Sequence, residues 1–320
     1  MKFVVLGAGA LGTIIAGHLT RSGEDVILVG RGKRAEYLRE NGITVTGLAD
    51  FTVPCRIVEN TRDVSKTDVL IITVKTYDMA AALAGIHHID VTSVLSVQNG
   101  VLKNEQLADV YGMDKVLGAA AFFSGELLAD GSARFTLNRS FSIGELPEGT
   151  SQRVHDIVGI LEKAGIHAEA APMIQTVEWS KFIGWIGLMP LAVLTRVETH
   201  KFLSDEDTAA IGVRIMREAG ALSEALGIPL EDTPPIPVKT IASADEPEAV
   251  GAMLKVGSLM RANVPGHRVS TLQDLERGKR LEVEETLGYV VRKAGEENID
   301  VPTIETCYRL IAGINRFAST

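Results

Sequence analysis

Gly7-Ala8-Gly9-Ala10-Leu11-Gly12 joins a β-rich run, Lys2–Leu6, to an amphipathic stretch, Ala10–Ser22. Each glycine of this G-x-G-x-x-G spacing answers a physical demand. The first permits a tight strand-to-helix turn, the second lets the backbone approach a pyrophosphate, and the third lets the helix pack close to the strand. A helix starting there presents unpaired N–H groups and a partial positive charge to an anion. In this context the spacing predicts a dinucleotide site on Gly7, Ala8, Gly9, Ala10, Leu11 and Gly12. The second strand then ends Leu28-Val29-Gly30-Arg31-Gly32-Lys33-Arg34. It lacks the carboxylate that usually accepts from a ribose 2′-OH, so Arg31, backed by Lys33 or Arg34, is expected to pair with a 2′-phosphate. NADP(H) is therefore the expected cofactor.

Other reactive groups stand at the C-terminal ends of candidate strands, where open α/β sheets place their chemistry. Lys75 follows Val69–Val74, and Gln98-Asn99-Gly100 follows Ser93–Val97. Farther on, Lys181 is the one cation in the mostly apolar stretch Gln175–Leu194. Ser270-Thr271-Leu272-Gln273 has the spacing of a capping box, as has Ser204-Asp205-Glu206-Asp207. His87-His88 lies in a loop-like stretch and reads as surface. Cys55 and Cys307 are far apart with no CxxC near either, so neither a disulfide framework nor a zinc site is expected, and no metal is assigned.

Positioning these groups takes two textures of chain. Up to about residue 145, strand candidates Lys2–Leu6, Asp25–Val29, Val69–Val74, Ser93–Val97 and Val116–Ala120 alternate with helical stretches. Several are apolar at consecutive positions, as in parallel strands buried on both faces. Phe122–Leu128, Ala133–Leu137 and Ser140–Ile143 read as an antiparallel hairpin or meander. After Gly149 the chain turns helical, with helices expected over Ser151–Ala164, Gln175–Leu194, 204–226, Glu246–Ala262, Thr271–Arg277, Glu282–Glu297 and Thr303–Arg316. The expected fold is α/β: a Rossmann-type doubly wound domain, 1–171, and an all-helical domain, 172–320. At 320 residues two domains suit the length. A net charge of −9 argues against nucleic acid and anionic membranes as partners. The longest apolar run, Phe182–Leu194, is short for a membrane span and contains a proline. With an N-terminus that reads as a strand rather than a signal peptide, the expected location is cytoplasmic.

The ordered set of motifs resembles the ketopantoate reductase (2-dehydropantoate 2-reductase) family. It runs from the Gly7–Gly12 fingerprint through Arg31, Val74-Lys75 and Gln98-Asn99-Gly100 to Trp179-Ser180-Lys181-Phe182. Pro190-Leu191, Leu194-Thr195-Arg196 and Ser270-Thr271-Leu272-Gln273-Asp274 with Glu282 complete it. The resemblance implies an NADPH-dependent reductase of a small 2-oxo acid, ketopantoate to pantoate, in pantothenate biosynthesis. It also implies a fold like that of 6-phosphogluconate dehydrogenase. Separately, the apolar C-terminal helices can pack within the domain or against a second copy, and a homodimer is the expectation. Lys181 would be the general acid, Glu282 would orient substrate and lysine, and Ser270 would bind a carboxylate. Lys75 and Asn99 would lie near the nicotinamide, Asn99 also touching substrate. One departure stands out: Trp185 and Met189 occupy the positions, four and eight residues past the lysine, where the family pattern has asparagines. If these two line the pocket, the substrate should be less polar or differently shaped than ketopantoate. Two other readings stay open: an opine-type or 3-hydroxyacid dehydrogenase, and a nicotinamide-sensing binding protein without activity.

Overall fold

The computed structural model describes residues 1–317. The chain divides into two compact units, Met1–Asn99 with Lys103–Gln175, and Gly100–Leu102 with the chain from Thr176 onward. The crossing at Gln175–Thr176 falls slightly past the 171/172 boundary expected from sequence.

The first unit contains β1 (Lys2–Leu6), α1 (Ala10–Arg21), β2 (Asp25–Val29), α2 (Gly32–Asn41), β3 (Ile43–Gly47), β4 (Phe51–Val53) and β5 (Ile57–Val58). It continues through β6 (Lys66–Ile72), α3 (Met79–Ile86), β7 (Asp90–Ser96), α4 (Leu102–Tyr111), β8 (Leu117–Leu127), β9 (Ala133–Glu145), α5 (Gln152–Ala164) and β10 (Ala168–Ala170). A parallel sheet in the order β5-β2-β1-β6-β7 forms its centre. Successive residues alternate between the two faces of a strand, and both faces here are apolar. Phe3, Val5, Leu28, Ile71 and Leu95 pack toward α1, while Val4, Leu6, Ile27, Leu70 and Ile72 pack toward α3.

The sheet departs from expectation at its margins. Val116–Ala120, expected as another strand of this sheet, instead begins β8, which pairs antiparallel with β9 in a second sheet. Val116 makes one isolated parallel bridge to Val94 of the first sheet. The fifth parallel strand is β5, two residues long and too short to show a pattern. β8 and β9 form the expected hairpin, turned at Gly131 (φ +87°) with Asp130 accepting from the Ser132 backbone N–H.

The second unit is all-helical. The helix α6 (Ile174–Thr195), whose first two residues lie in the first unit, is followed by α7 (Thr199–Leu203), α8 (Glu206–Ala225), α9 (Val238–Ser243) and α10 (Glu246–Asn263). Next come α11 (Ser270–Glu276), α12 (Leu287–Glu296) and α13 (Pro302–Phe317). The parallel sheet followed by a helical unit is the architecture expected from sequence. α6 is long and apolar enough to span a bilayer, but 78% of its most apolar window is buried inside the protein, so it packs as a core helix. It comes close to α8 because a Cβ at Gly187 would lie 2.3 Å from Met216 Cε, leaving room for nothing larger than hydrogen. Glu218 of α8 accepts from the Thr303 and Ile304 N–H groups, both at 2.9 Å, and so anchors the start of α13.

Three local expectations are corrected. α8 is capped by Asp205, which accepts from the Thr208 N–H at 3.0 Å; Ser204 instead ends α7. Ser270 is not a capping residue but the first helical residue of α11, with Val269 at the N-cap. α12 starts at Leu287 rather than at 282, so Glu282 precedes the helix.

His18 of α1 is 1% exposed, bonds through Nδ1 to the Ala164 carbonyl (2.8 Å) and meets the edges of Phe51 and Phe135. Burial, helped by the Arg21 charge, pushes its pKa below the ordinary 6.5. In the unfolded chain the imidazole takes up a proton as pH falls through 6.5, while the folded one resists. The unfolded state then binds more protons, so stability falls on acidification below that point. We expect melting temperatures to drop between about pH 7.5 and 5.5, and His18→Phe to flatten that drop. An unchanged slope in the variant would assign the dependence elsewhere.

Candidate active site

The register of the parallel sheet aligns the ends of its strands. Leu6 stands beside Val29 and Ile72, and the ladder continues one residue further: Gly7 N–H donates to Val29, and Thr73 N–H to Leu6. The turn after β1 is held from below. Thr73 Oγ1 donates to the Gly7 carbonyl (2.8 Å) and lies 3.1 Å from that of Leu6. Gly7 has φ +118°, and a Cβ there would lie 2.7 Å from Thr73 Oγ1. A Cβ at Gly12 would lie 1.9 Å from the Gly7 carbonyl oxygen. Gly9 is different: nothing lies within 4 Å of its would-be Cβ. The first intrahelical bond of α1 runs from Thr13 N–H to Gly9, so the amides of Ala10, Leu11 and Gly12 precede it, and no acid sits in this first turn. An open glycine flanked by two closed ones, at a helix N-terminus, fits a dinucleotide pyrophosphate.

The three cations after β2 separate cleanly. Arg31 is exposed at the N-cap of α2, in extended conformation, and Lys33 is exposed as well. Arg34 points elsewhere: it donates to the Ala8 carbonyl (3.0 Å), the Gly131 carbonyl (2.6 Å) and Thr13 Oγ1 (3.0 Å). It braces the fingerprint turn rather than backing Arg31. Sequence reasoning also missed Glu59, which follows the two-residue strand β5. Its carboxylate accepts from the Gly32 N–H (3.2 Å) and from Arg39 (2.9 Å), and these bonds hold it below the ordinary value of 4.5.

Lys75 and Asn99 are both half-buried beyond the ends of β6 and β7. Gln98 ties their segments together, its side-chain amide donating to the Val74 carbonyl at 2.9 Å. Its Oε1 is buried without a hydrogen-bond partner, an acceptor that a bound ligand's N–H can satisfy. The buried Lys103 donates to the carbonyls of Gln98 (3.2 Å) and Ala119 (2.6 Å), fixing the turn from behind.

In the second unit Lys181 is half-buried on α6, between fully buried Ser180 and nearly buried Phe182. Glu282 is 5% exposed on the segment before α12, and Ser270 is exposed at the start of α11, where it makes no cap bond. Their flanking residues share one hydrophobic core: Phe182 and Ile183, Leu281 and Val283, Val269 and Leu272. Leu281 N–H also donates to Asn315 of α13 at 2.9 Å, pinning the Glu282 segment. Trp185 and Met189 follow Lys181 at one-turn spacing on the same helical face. Met189 is fully buried in that core, whereas Trp185 is half-buried at its margin. His87 and His88 are exposed, bonding to the Ala84 and Thr61 carbonyls.

Comparison with known proteins adds the family context. The family model described as ketopantoate reductase PanE/ApbA matches residues 3–148, and the model of that family's C-terminal part matches residues 173–315. A 2-dehydropantoate 2-reductase of Archaeoglobus fulgidus is 29% identical, covering 97% of this chain and 96% of the relative. One of Pyrococcus abyssi is 27% identical over 98% of this chain and 97% of its own. Among solved structures, a PanE/ApbA family ketopantoate reductase from Ralstonia eutropha superposes with TM-score 0.84 at 24% identity, covering 100% of both chains. A D-mandelate dehydrogenase bound to NADH and anilino(oxo)acetate superposes with TM-score 0.85 at 17% identity, again over 100% of both. At these identities the two structures share the fold.

The contrast among the glycines makes a paired prediction. Gly9→Ala should leave the melting temperature within a few degrees yet weaken dinucleotide binding about tenfold or more, ~1.4 kcal/mol. Gly12→Ala should instead lower the melting temperature sharply, because backbone must move. Fluorescence titration and thermal unfolding of both variants read the two effects separately.

Proposed function

The chain belongs to the ketopantoate reductase family, whose two models together match most of its length, and on that basis we propose that it is an NADPH-dependent reductase of a small 2-oxo acid. Ketopantoate, giving pantoate, is the first substrate to test. The observation that carries the mechanism is Lys181, the one cation of a mostly apolar core helix. The Gly7–Gly12 turn would hold the cofactor's pyrophosphate and Arg31 its 2′-phosphate, and the bound cofactor would supply hydride chemistry to the substrate's carbonyl carbon. The carbonyl oxygen then gains negative charge. The Lys181 ammonium stabilises that charge and donates the proton that completes the hydroxyl. Glu282, a buried carboxylate, orients Lys181 and substrate. Ser270, whose hydroxyl makes no helix cap, donates to the substrate carboxylate. Lys75 and Asn99 serve the nicotinamide end, with Asn99 also touching substrate. Per turnover one 2-oxo acid, one reduced cofactor and one proton give one 2-hydroxy acid and one oxidised cofactor. A cytoplasmic homodimer belongs to the same proposal.

A second reading concerns the substrate alone. Met189, expected at the substrate, is fully buried in the core and fills it instead, whereas Trp185, half-buried on the Lys181 face, offers an indole where the family pattern has an amide. That chemistry favours a 2-oxo acid with an apolar substituent over one whose hydroxyl needs partners. NADPH consumption across a panel of 2-oxo acids decides between the two. Turnover of ketopantoate above branched or aromatic 2-oxo acids supports the first, the reverse order supports the second, and no turnover at all overturns both.

Lys181→Ala should lower kcat by about 10²–10⁴-fold while NADPH affinity stays nearly unchanged. A variant that keeps wild-type turnover removes Lys181 from the mechanism.

A further inference from the structure

The end of β2 lacks an acid in the sequence, yet the folded chain brings one there. β5 lies beside β2 in parallel register, with Val58 opposite Val29, and Gly30 N–H donates to the Val58 carbonyl at 3.1 Å. The next residue, Glu59, therefore stands level with Gly30 and Arg31. Its carboxylate reaches the Gly32 N–H at 3.2 Å, and its other oxygen is paired with Arg39 at 2.9 Å. Gly32 is the first helical residue of α2, directly after Arg31 at the N-cap. In a doubly wound sheet the adenosine ribose of a dinucleotide lies at this end of β2.

Two opposite charges thus flank the ribose position. A guanidinium favours a 2′-phosphate through charge-assisted bonds. A carboxylate favours a 2′-hydroxyl, which can donate to it, and repels a phosphate. We propose that Glu59 is a cofactor-selecting residue: it opposes Arg31, narrows the preference for a 2′-phosphate, and gives a cofactor with a free 2′-hydroxyl a share of the site. The residue acts on the cofactor's ribose and not on the reaction at the nicotinamide. The inference rests on the dinucleotide reading above and deepens it. Arg39 keeps the Glu59 carboxylate turned toward α2, and the shortness of β5 places it level with Arg31.

Calorimetric titration with 2′,5′-ADP and 5′-ADP isolates the ribose end without any turnover. Glu59→Gln keeps an oxygen for the Gly32 N–H while removing the charge. In this variant 2′,5′-ADP should bind about two- to fivefold tighter, the range of an exposed charge pair. Binding of 5′-ADP should stay level or weaken, so the ratio of the two affinities rises. The rise should shrink as salt is raised from about 0.02 M to 0.5 M, because the effect is carried through solvent. An unchanged ratio, or both ligands shifting equally, overturns the role of Glu59. Arg31→Gln serves as the reference: it should weaken 2′,5′-ADP alone. Failure of the unaltered protein to bind either nucleotide would overturn the dinucleotide reading itself, a result distinct from an unchanged ratio.

Discussion

The cofactor end of this protein depends on a contact that leaves no space for a methyl group: α1 begins directly against the carbonyl of Gly7. With a Cβ at Gly12 only 1.9 Å from that oxygen, any side chain there would push the helix off the sheet. Several other interactions work around the same contact. Thr73 places its hydroxyl on the Gly7 carbonyl from the neighbouring strand. Arg34 reaches from α2 to the Ala8 carbonyl and Thr13 Oγ1, fixing the other side of the turn and the start of α1. The outcome is a helix whose first amides are held at one place relative to the strand ends. That placement turns three weak dipoles into an anion site.

In the second unit the governing constraint is burial of α6. A mostly apolar helix belongs inside a domain, and α6 gets there both by burying large side chains, among them Phe182, Ile183 and Ile186, and by close approach at its glycines. Gly184 faces Val238 and Ile236, while Gly187 faces Met216. Pro190 removes one backbone donor within the helix. A single ammonium on such a helix is costly to hide and is tolerated where it keeps polar access. Lys181 is half-buried while the residues on either side are nearly or fully buried. This confines its charge to one face of the unit, the face that Trp185 also borders.

The legible parts of the molecule were those with a dense local signal. β1 and β2 coincide with the apolar runs that announced them, and the fingerprint needed only glycine spacing. The two-residue β5 had no pattern to read, so Glu59, which depends on it, was invisible from sequence. β8 differs from expectation for another reason: its apolar start suits a parallel core strand and a hairpin strand alike, and only long-range pairing with β9 decides. The neighbours of Glu282 have helical periodicity, but Thr286 closes the preceding turn by donating to the Glu282 carbonyl, and α12 starts only afterwards. The roles of Arg31, Lys33 and Arg34 could not be separated from three adjacent cations in a sequence. Their separation comes from which side of α2 each one faces.

The face of α6 that carries Lys181 also bears on discrimination between substrates. An amide at position 189 would lie inside an apolar core, where each unpaired donor or acceptor costs on the order of 1–3 kcal/mol. Met189 makes no such demand and is fully buried. Trp185 presents a large, mostly apolar surface with one donor, and it remains half-buried. A site built on amides rejects substrates that lack the matching hydroxyl, because its polar groups are then left unpaired, by roughly 10⁴–10⁵-fold. A site bordered by an indole distinguishes by shape, and one methylene is worth only about 10–200-fold. Under the proposed reading the same proton donor would therefore serve a broader set of 2-oxo acids than an amide-lined pocket admits. The carboxylate and the ketone are the groups all of them share, and these are the groups that Ser270 and Lys181 are suited to bind.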